Sequence, residues 1–109
     1  MAEEQKSNRK PTTVADLVGR WVSDPLDAEG IEQFGRVSLE FRPEGTLVYI
    51  SHGTASDEKM FLTFRLDGDV LVTDQPSAPR EEQTRYSMDD NGRLTLWFQG
   101  LRSAYVRAE

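Results

Sequence analysis

Val37, Leu39 and Phe41 alternate with Ser38, Glu40 and Arg42. A period of two marks a strand with one buried face and one wet face. The same alternation predicts strands over 46–52, 58–66, 69–74, 82–88, 93–98 and 101–107, and a short first strand lies at Arg20-Trp21-Val22-Ser23. Turn residues separate these runs. Pro43-Glu44-Gly45 reads as a three-residue hairpin loop with glycine at the left-handed position, and Asp67-Gly68 and Gln99-Gly100 as two-residue turns. Asp89-Asp90-Asn91-Gly92 turns the chain once more, Gly53 to Asp57 is a small polar loop, and Pro76 and Pro79 stiffen a longer loop from Gln75 to Arg80.

Helical signals are confined to the start of the chain. Thr12 to Val18 predicts one capped helical turn that Gly19 stops. Asp27 to Phe34 predicts one to two turns, weakened by Gly30, with Ile31 and Phe34 on one face positioned to close over something apolar. Residues 1–11 hold no large apolar residue after Met1 and are expected to be a disordered tail ahead of a single domain over 12–109. Eight short antiparallel strands with tight connections form a meander. Left open, it would expose two edges, so closure into an all-β, eight-stranded antiparallel up-and-down β-barrel with a short N-terminal helical turn is the expected architecture. A sandwich is the runner-up.

Turn lengths set register, and register sets faces. A two-residue Gln99-Gly100 loop pairs Phe98 with Leu101, Leu96 with Ser103 and Leu94 with Tyr105. Asp67-Gly68 as the loop pairs Leu66 with Asp69 and places Leu71 and Thr73 on the face of Leu62 and Phe64. The Pro43 loop sets Leu47, Tyr49 and Ser51 beside Phe41, while the 82–88 strand offers Thr84, Tyr86 and Met88. The interior is therefore apolar with a hydroxyl minority: Tyr49, Ser51, Thr73, Thr84, Tyr86, Ser103 and Tyr105, including all three tyrosines of the chain. Those hydroxyls pair with one another, with water or with a ligand, because each left unsatisfied costs about 1–3 kcal/mol. An eight-stranded barrel is wide enough to be filled by side chains or to hold one small ligand. The bulk of Trp21, Phe41, Phe64, Phe98 and the tyrosines favours a mostly filled interior. The outer face carries Val48, Ile50, Phe61, Val70, Val72, Trp97 and Val106, and Val48, Ile50, Phe61 and Trp97 are the candidate contacts of a homo-oligomer.

Composition narrows the partners. The 109 residues carry 13 Lys and Arg against 19 Asp and Glu, a net charge of -6, with no cysteine and one histidine. The tail holds one surplus positive charge, so the body is more acidic still. Such a field repels phosphate backbones and anionic lipid, which argues against nucleic acid and membrane partners. Without cysteine or a second histidine, neither a disulfide scaffold, a metal site nor a cofactor is expected. The N-terminus lacks the apolar core of a signal peptide, and a cytoplasmic location is expected.

Catalytic candidates are few. His52 ends a strand and reads as a solvated loop-end histidine; as general base of a serine triad it would be the sole choice. Glu81-Glu82 and Asp89-Asp90 sit at turns or strand ends, where acidic residues are common. No catalytic constellation is recognised, and no enzyme activity is expected. The Gln75 to Arg80 loop is the most distinctive stretch and is a candidate recognition element at the barrel mouth.

Leu17-Val18-Gly19-Arg20-Trp21 resembles the Gly-x-Trp motif of the lipocalin family, in its residues and in its place after a helical turn at the start of the first strand. The resemblance is nearest to short, bacterial-type lipocalin-like domains and covers the whole strand count. It implies a barrel closed at one end by Gly19, Trp21 and a basic residue from the last strand. Arg107 points inward by register and is the candidate, with Arg102 the outward alternative. That group of short domains implies a fold and no defined activity. From the predicted interior, the expected function is a non-catalytic barrel that binds a small apolar or amphipathic molecule, the candidate contacts being Tyr49, Phe64, Thr84, Tyr86, Ser103 and Tyr105. The alternative is a filled barrel that acts as a protein-interaction or inhibitor module through its outer face and loops. The chain departs from the intracellular fatty-acid-binding branch: Tyr105-Val106-Arg107 reverses that branch's Arg-x-Tyr order.

Overall fold

Eight strands run in chain order around one closed, wholly antiparallel barrel in a computed structural model that describes residues 12–108. They are β1 (Gly19–Ser23), β2 (Arg36–Phe41), β3 (Thr46–His52), β4 (Asp57–Asp67), β5 (Val70–Asp74), β6 (Glu82–Met88), β7 (Leu94–Phe98) and β8 (Leu101–Arg107). Helix α1 (Val14–Leu17) precedes β1, and α2 (Ala28–Phe34) lies in the β1–β2 connection. The tail expected over 1–11 lies outside the described residues. The architecture is the up-and-down barrel that alternation and turn spacing predict.

Register follows the turns closely. Phe98 pairs with Leu101 and Leu94 with Tyr105 across Gln99-Gly100, both of whose φ angles are positive. Phe41 pairs with Leu47 around the Pro43 loop. One turn is displaced. The β4–β5 loop is Gly68-Asp69, not Asp67-Gly68, so Leu66 pairs with Leu71 and Asp67 with Val70. Only Gly68 then needs a positive φ, and no such angle is imposed on Asp67. The shift moves the pairing by two residues and keeps every face.

Indole, guanidinium and helix end lock together to seal one end of the barrel. Trp21 is fully buried and its Nε1 donates to Leu17 O at 2.9 Å. The Arg107 guanidinium lies over the indole, 4.2 Å from the ring centroid. It donates to Val18 O at 2.7 Å and Asp16 O at 2.6 Å, so a cation caps the C-terminal carbonyls of α1. Gly19 adopts φ +128°, and a Cβ there would stand 2.5 Å from Arg107 Nη1. Arg102, the alternative cation, pairs with Trp97 on the far side of β8.

Closure above the floor combines backbone pairing with side-chain bonds. β1 meets β8 through three register pairs, Trp21 with Arg107, Val22 with Val106 and Ser23 with Tyr105. Beyond Ser23, the Asp24 amide donates to Ala104 O (2.9 Å), and the Ala104 amide donates to Asp27 Oδ2 (2.8 Å). Asp27 is also the N-cap of α2, accepting from Gly30 N at 3.2 Å. The Asp24 carboxylate lies 2.9 Å from Arg93 Nε, an ion pair that reaches across β8. Both carboxylates are buried.

Gly30 lies where α2 meets β8. A Cβ at this position would collide with the Asp27 carboxylate and stand 3.2 Å from Ser103 Cα. Helix propensity alone makes Gly30→Ala stabilising by about 1 kcal/mol. Packing reverses the sign: urea denaturation should give Gly30→Ala a lower midpoint than the parent, and a higher midpoint would show that α2 does not sit against β8 in this way.

Candidate functional site

The strands place β1's start, the 42–45, 68–69 and 89–93 turns and α1 at the sealed end. The 53–56, 75–81 and 99–100 loops and α2 surround the other end. Inside lies a cavity of about 400 Å³ that opens toward that second end. The interior is thus not filled by its own side chains as their bulk suggests. Part of the aromatic mass lies below the cavity, Trp21 on the floor and Phe64 edge-on to Phe41 with centroids 5.0 Å apart, while Phe41, Phe98, Tyr49 and Tyr105 stand in the cavity wall.

The walls are largely apolar, with Leu39, Leu47, Leu62, Leu71 and Leu96 facing inward and Phe34 of α2 closing over one side. Of Ile31 and Phe34, expected to close together over something apolar, Phe34 lines the cavity and Ile31 does not. Tyr49, Thr84, Ser103 and Tyr105 line the cavity, as does Thr73. Tyr86 and Phe64 do not. Tyr86 is buried and its hydroxyl donates to Gly68 O at 3.1 Å, serving the turn at the sealed end. Phe64 packs on Phe41, beside the Gly45 carbonyl that accepts its amide. Alternation identifies the inward face, but it does not tell at which height a side chain sits or which way a long ring leans.

Burial governs the tyrosines. Desolvation pushes the Tyr105 phenol up to about 12, against a lowering hydrogen bond from Ser103 and further raising by Tyr49 and Asp27. Ser103 Oγ and the Tyr105 hydroxyl stand 3.0 Å apart. Desolvation likewise raises Tyr49. These groups are neutral hydrogen-bonding hydroxyls at ordinary pH.

Charge is confined to the mouth. Arg80 and Glu82 line it beside Gln75 and pair at 3.0 Å, and Arg80 N donates to Asp74 Oδ1 at 2.8 Å. The proline loop is thereby pinned to the barrel rim. Glu82 shares the inward face with Thr84, a placement that the alternation along β6 carries.

His52 is the exposed last residue of β3, as expected, and it is also bonded on both ring nitrogens. Its Nε2 lies 2.7 Å from Ser38 Oγ and its Nδ1 3.2 Å from Asp57 Oδ2. The order is that of a serine relay, but Ser38 is 8% exposed in mid-strand on the convex outer wall. A hydroxyl there faces no concave surface to hold a substrate, and the row clips β2, β3 and β4 together. Among the described residues, no group of three His, Asp or Glu side chains is placed to hold a metal ion, and no helix is long and apolar enough to cross a membrane.

The outer apolar group is reduced by its neighbours. Val48 and Val72 are buried within the wall, and Ile50 and Trp97 are half-buried, the latter beneath the Arg85 guanidinium at 5.6 Å. Phe61 remains 54% exposed. β-Branched side chains sink between longer cross-strand neighbours such as Glu40 and Phe61 beside Val48.

Scanned against protein-family models and searched against curated proteins and solved structures, the chain finds no match.

The Tyr105 shift carries a pH signature. A raised folded-state pKa means that its contribution is fully present below the phenol's unfolded value of 10.0 and is lost as pH rises toward about 12. Melting temperatures of the parent should therefore fall across that window more steeply than those of Tyr105→Phe; parallel profiles would mean that the phenol is not desolvated.

Proposed function

We propose that this barrel is a non-catalytic binding protein that takes a small apolar or amphipathic molecule into its interior, and that it is lipocalin-like. The observation that carries the reading is a cavity of about 400 Å³, walled by leucines, sealed at one end and open at the other. That volume falls within the usual range for small-molecule sites, roughly 300–1,000 Å³. Hydroxyls on an apolar wall are the usual arrangement for orienting a ligand. The Gly19, Trp21 and Arg107 floor supports the lipocalin-like assignment, since it supplies a physical role for each residue of the motif and for the cation at the end of β8. A cytoplasmic location belongs to the same proposal.

The alternative is an interaction or inhibitor module acting through its outer face. The open interior and the burial of Val48 weigh against it, while exposed Phe61 is the feature in its favour.

Leu96→Trp should separate the two. The larger ring enters the cavity with room to spare, so the variant should fold and yet lose uptake of N-phenyl-1-naphthylamine, a neutral probe that brightens in apolar surroundings. At least a tenfold weakening is expected relative to the parent. A parent that never enhances the probe's fluorescence, or a variant that binds as well as the parent, would remove the interior as the site.

A further inference from the structure

Resting on the interior-binding reading, we infer that the ligand is uncharged, holds roughly a dozen non-hydrogen atoms, and presents a hydrogen-bond acceptor to the hydroxyls of Tyr49 and the Ser103–Tyr105 pair. Size comes first. A cavity of about 400 Å³ divided by the roughly 30 Å³ share of a water molecule leaves space on that order.

Charge is decided at the mouth. Arg80 and Glu82 are the charged residues among those that line the cavity, and they neutralise each other at 3.0 Å. A carboxylate placed inside would be desolvated with no cation beside it, and one held at the mouth would have to displace Glu82 from Arg80. A buried ammonium meets the converse problem. The leucine walls and neutral hydroxyls accept neither ion.

Polarity is decided by counting protons. Ser103 and Tyr105 share one hydrogen bond, so whichever donates, one O–H of the pair is left without an acceptor among the described residues. The Tyr49 hydroxyl lines the same cavity and makes no hydrogen bond among the described residues. It lies close enough to Tyr105 to raise that phenol further. Two donors therefore reach the cavity without a protein acceptor, the Tyr49 hydroxyl half-buried and the Ser103–Tyr105 pair buried. Unmatched buried donors are rarer in folded proteins than under-used acceptor lone pairs, because each acceptor oxygen has two lone pairs and tolerates losing one. A ketone, ester or ether oxygen satisfies both donors at once.

Calorimetric titration at pH 7 with three probes of similar size tests this: 2-nonanone, n-butylbenzene and nonanoate. The ketone should bind about 3- to 10-fold more tightly than the hydrocarbon, the share of one or two neutral hydrogen bonds, and at least 10-fold more tightly than the carboxylate. Tyr49→Phe and Tyr105→Phe should each weaken the ketone about 3-fold or more. Butylbenzene affinity should not fall in either variant, because each loses a donor that a hydrocarbon cannot satisfy, and this also reports an intact cavity. Nonanoate binding as tightly as the ketone, or a ketone no tighter than butylbenzene, overturns the inference and leaves interior binding standing. Absence of binding by all three probes overturns interior binding itself.

Discussion

The barrel depends on how a five-residue strand closes against a seven-residue one. β1 spans Gly19–Ser23 and β8 spans Leu101–Arg107, and only three register pairs join them. Unpaired backbone at such a seam is costly when buried, so each end is completed by one further backbone bond, Asp24 N to Ala104 O and Ala108 N to Arg20 O, and then by side chains. Arg107 binds the end of α1 and covers Trp21 at the floor. Asp27 takes the Ala104 amide that a longer β1 would have met, and Asp24 anchors Arg93 from the far side of β8. The two ends of the barrel differ because these two repairs differ: one is a plug, the other a helix laid beside an opening.

That asymmetry positions the cavity. With Trp21 and Phe64 taken up near the floor, the upper interior is walled by leucines, hydroxyls and the rings of Phe34, Phe41 and Phe98. α2 comes to the mouth because Asp27 caps it while bonded to β8, and Gly30 permits the contact. Phe34 then faces the interior. Arg80 and Glu82 neutralise each other on the opposite rim, at the end of a loop held by Asp74. The site is therefore a consequence of closure, not an addition to it.

Much of this was legible in the sequence because β-structure writes its faces with a period of two. The β2–β3 and β7–β8 hairpins followed from their loop lengths, and the inward tyrosines from register. The β4–β5 hairpin slipped because Asp67-Gly68 and Gly68-Asp69 both make acceptable two-residue turns, and faces are preserved under either. Height within the barrel was not legible: Tyr86 and Tyr105 share the inward face, yet one serves a turn and the other the cavity. Contacts between distant side chains left no local pattern either. Asp24 with Arg93, Asp27 with Ala104, and the row of Ser38, His52 and Asp57 exist only once the strands are wound. Gly30 illustrates the limit most clearly, since helix propensity assigns it a cost and tertiary packing makes it a requirement.

Crystals of the protein pressurised with xenon would test the central claim most directly, because dry apolar cavities take up this atom without any knowledge of the natural ligand. The account predicts xenon density inside the barrel among Leu47, Leu71 and Leu96, above the Trp21 floor. A barrel whose interior is filled by its own side chains, with no xenon between those leucines, would contradict it.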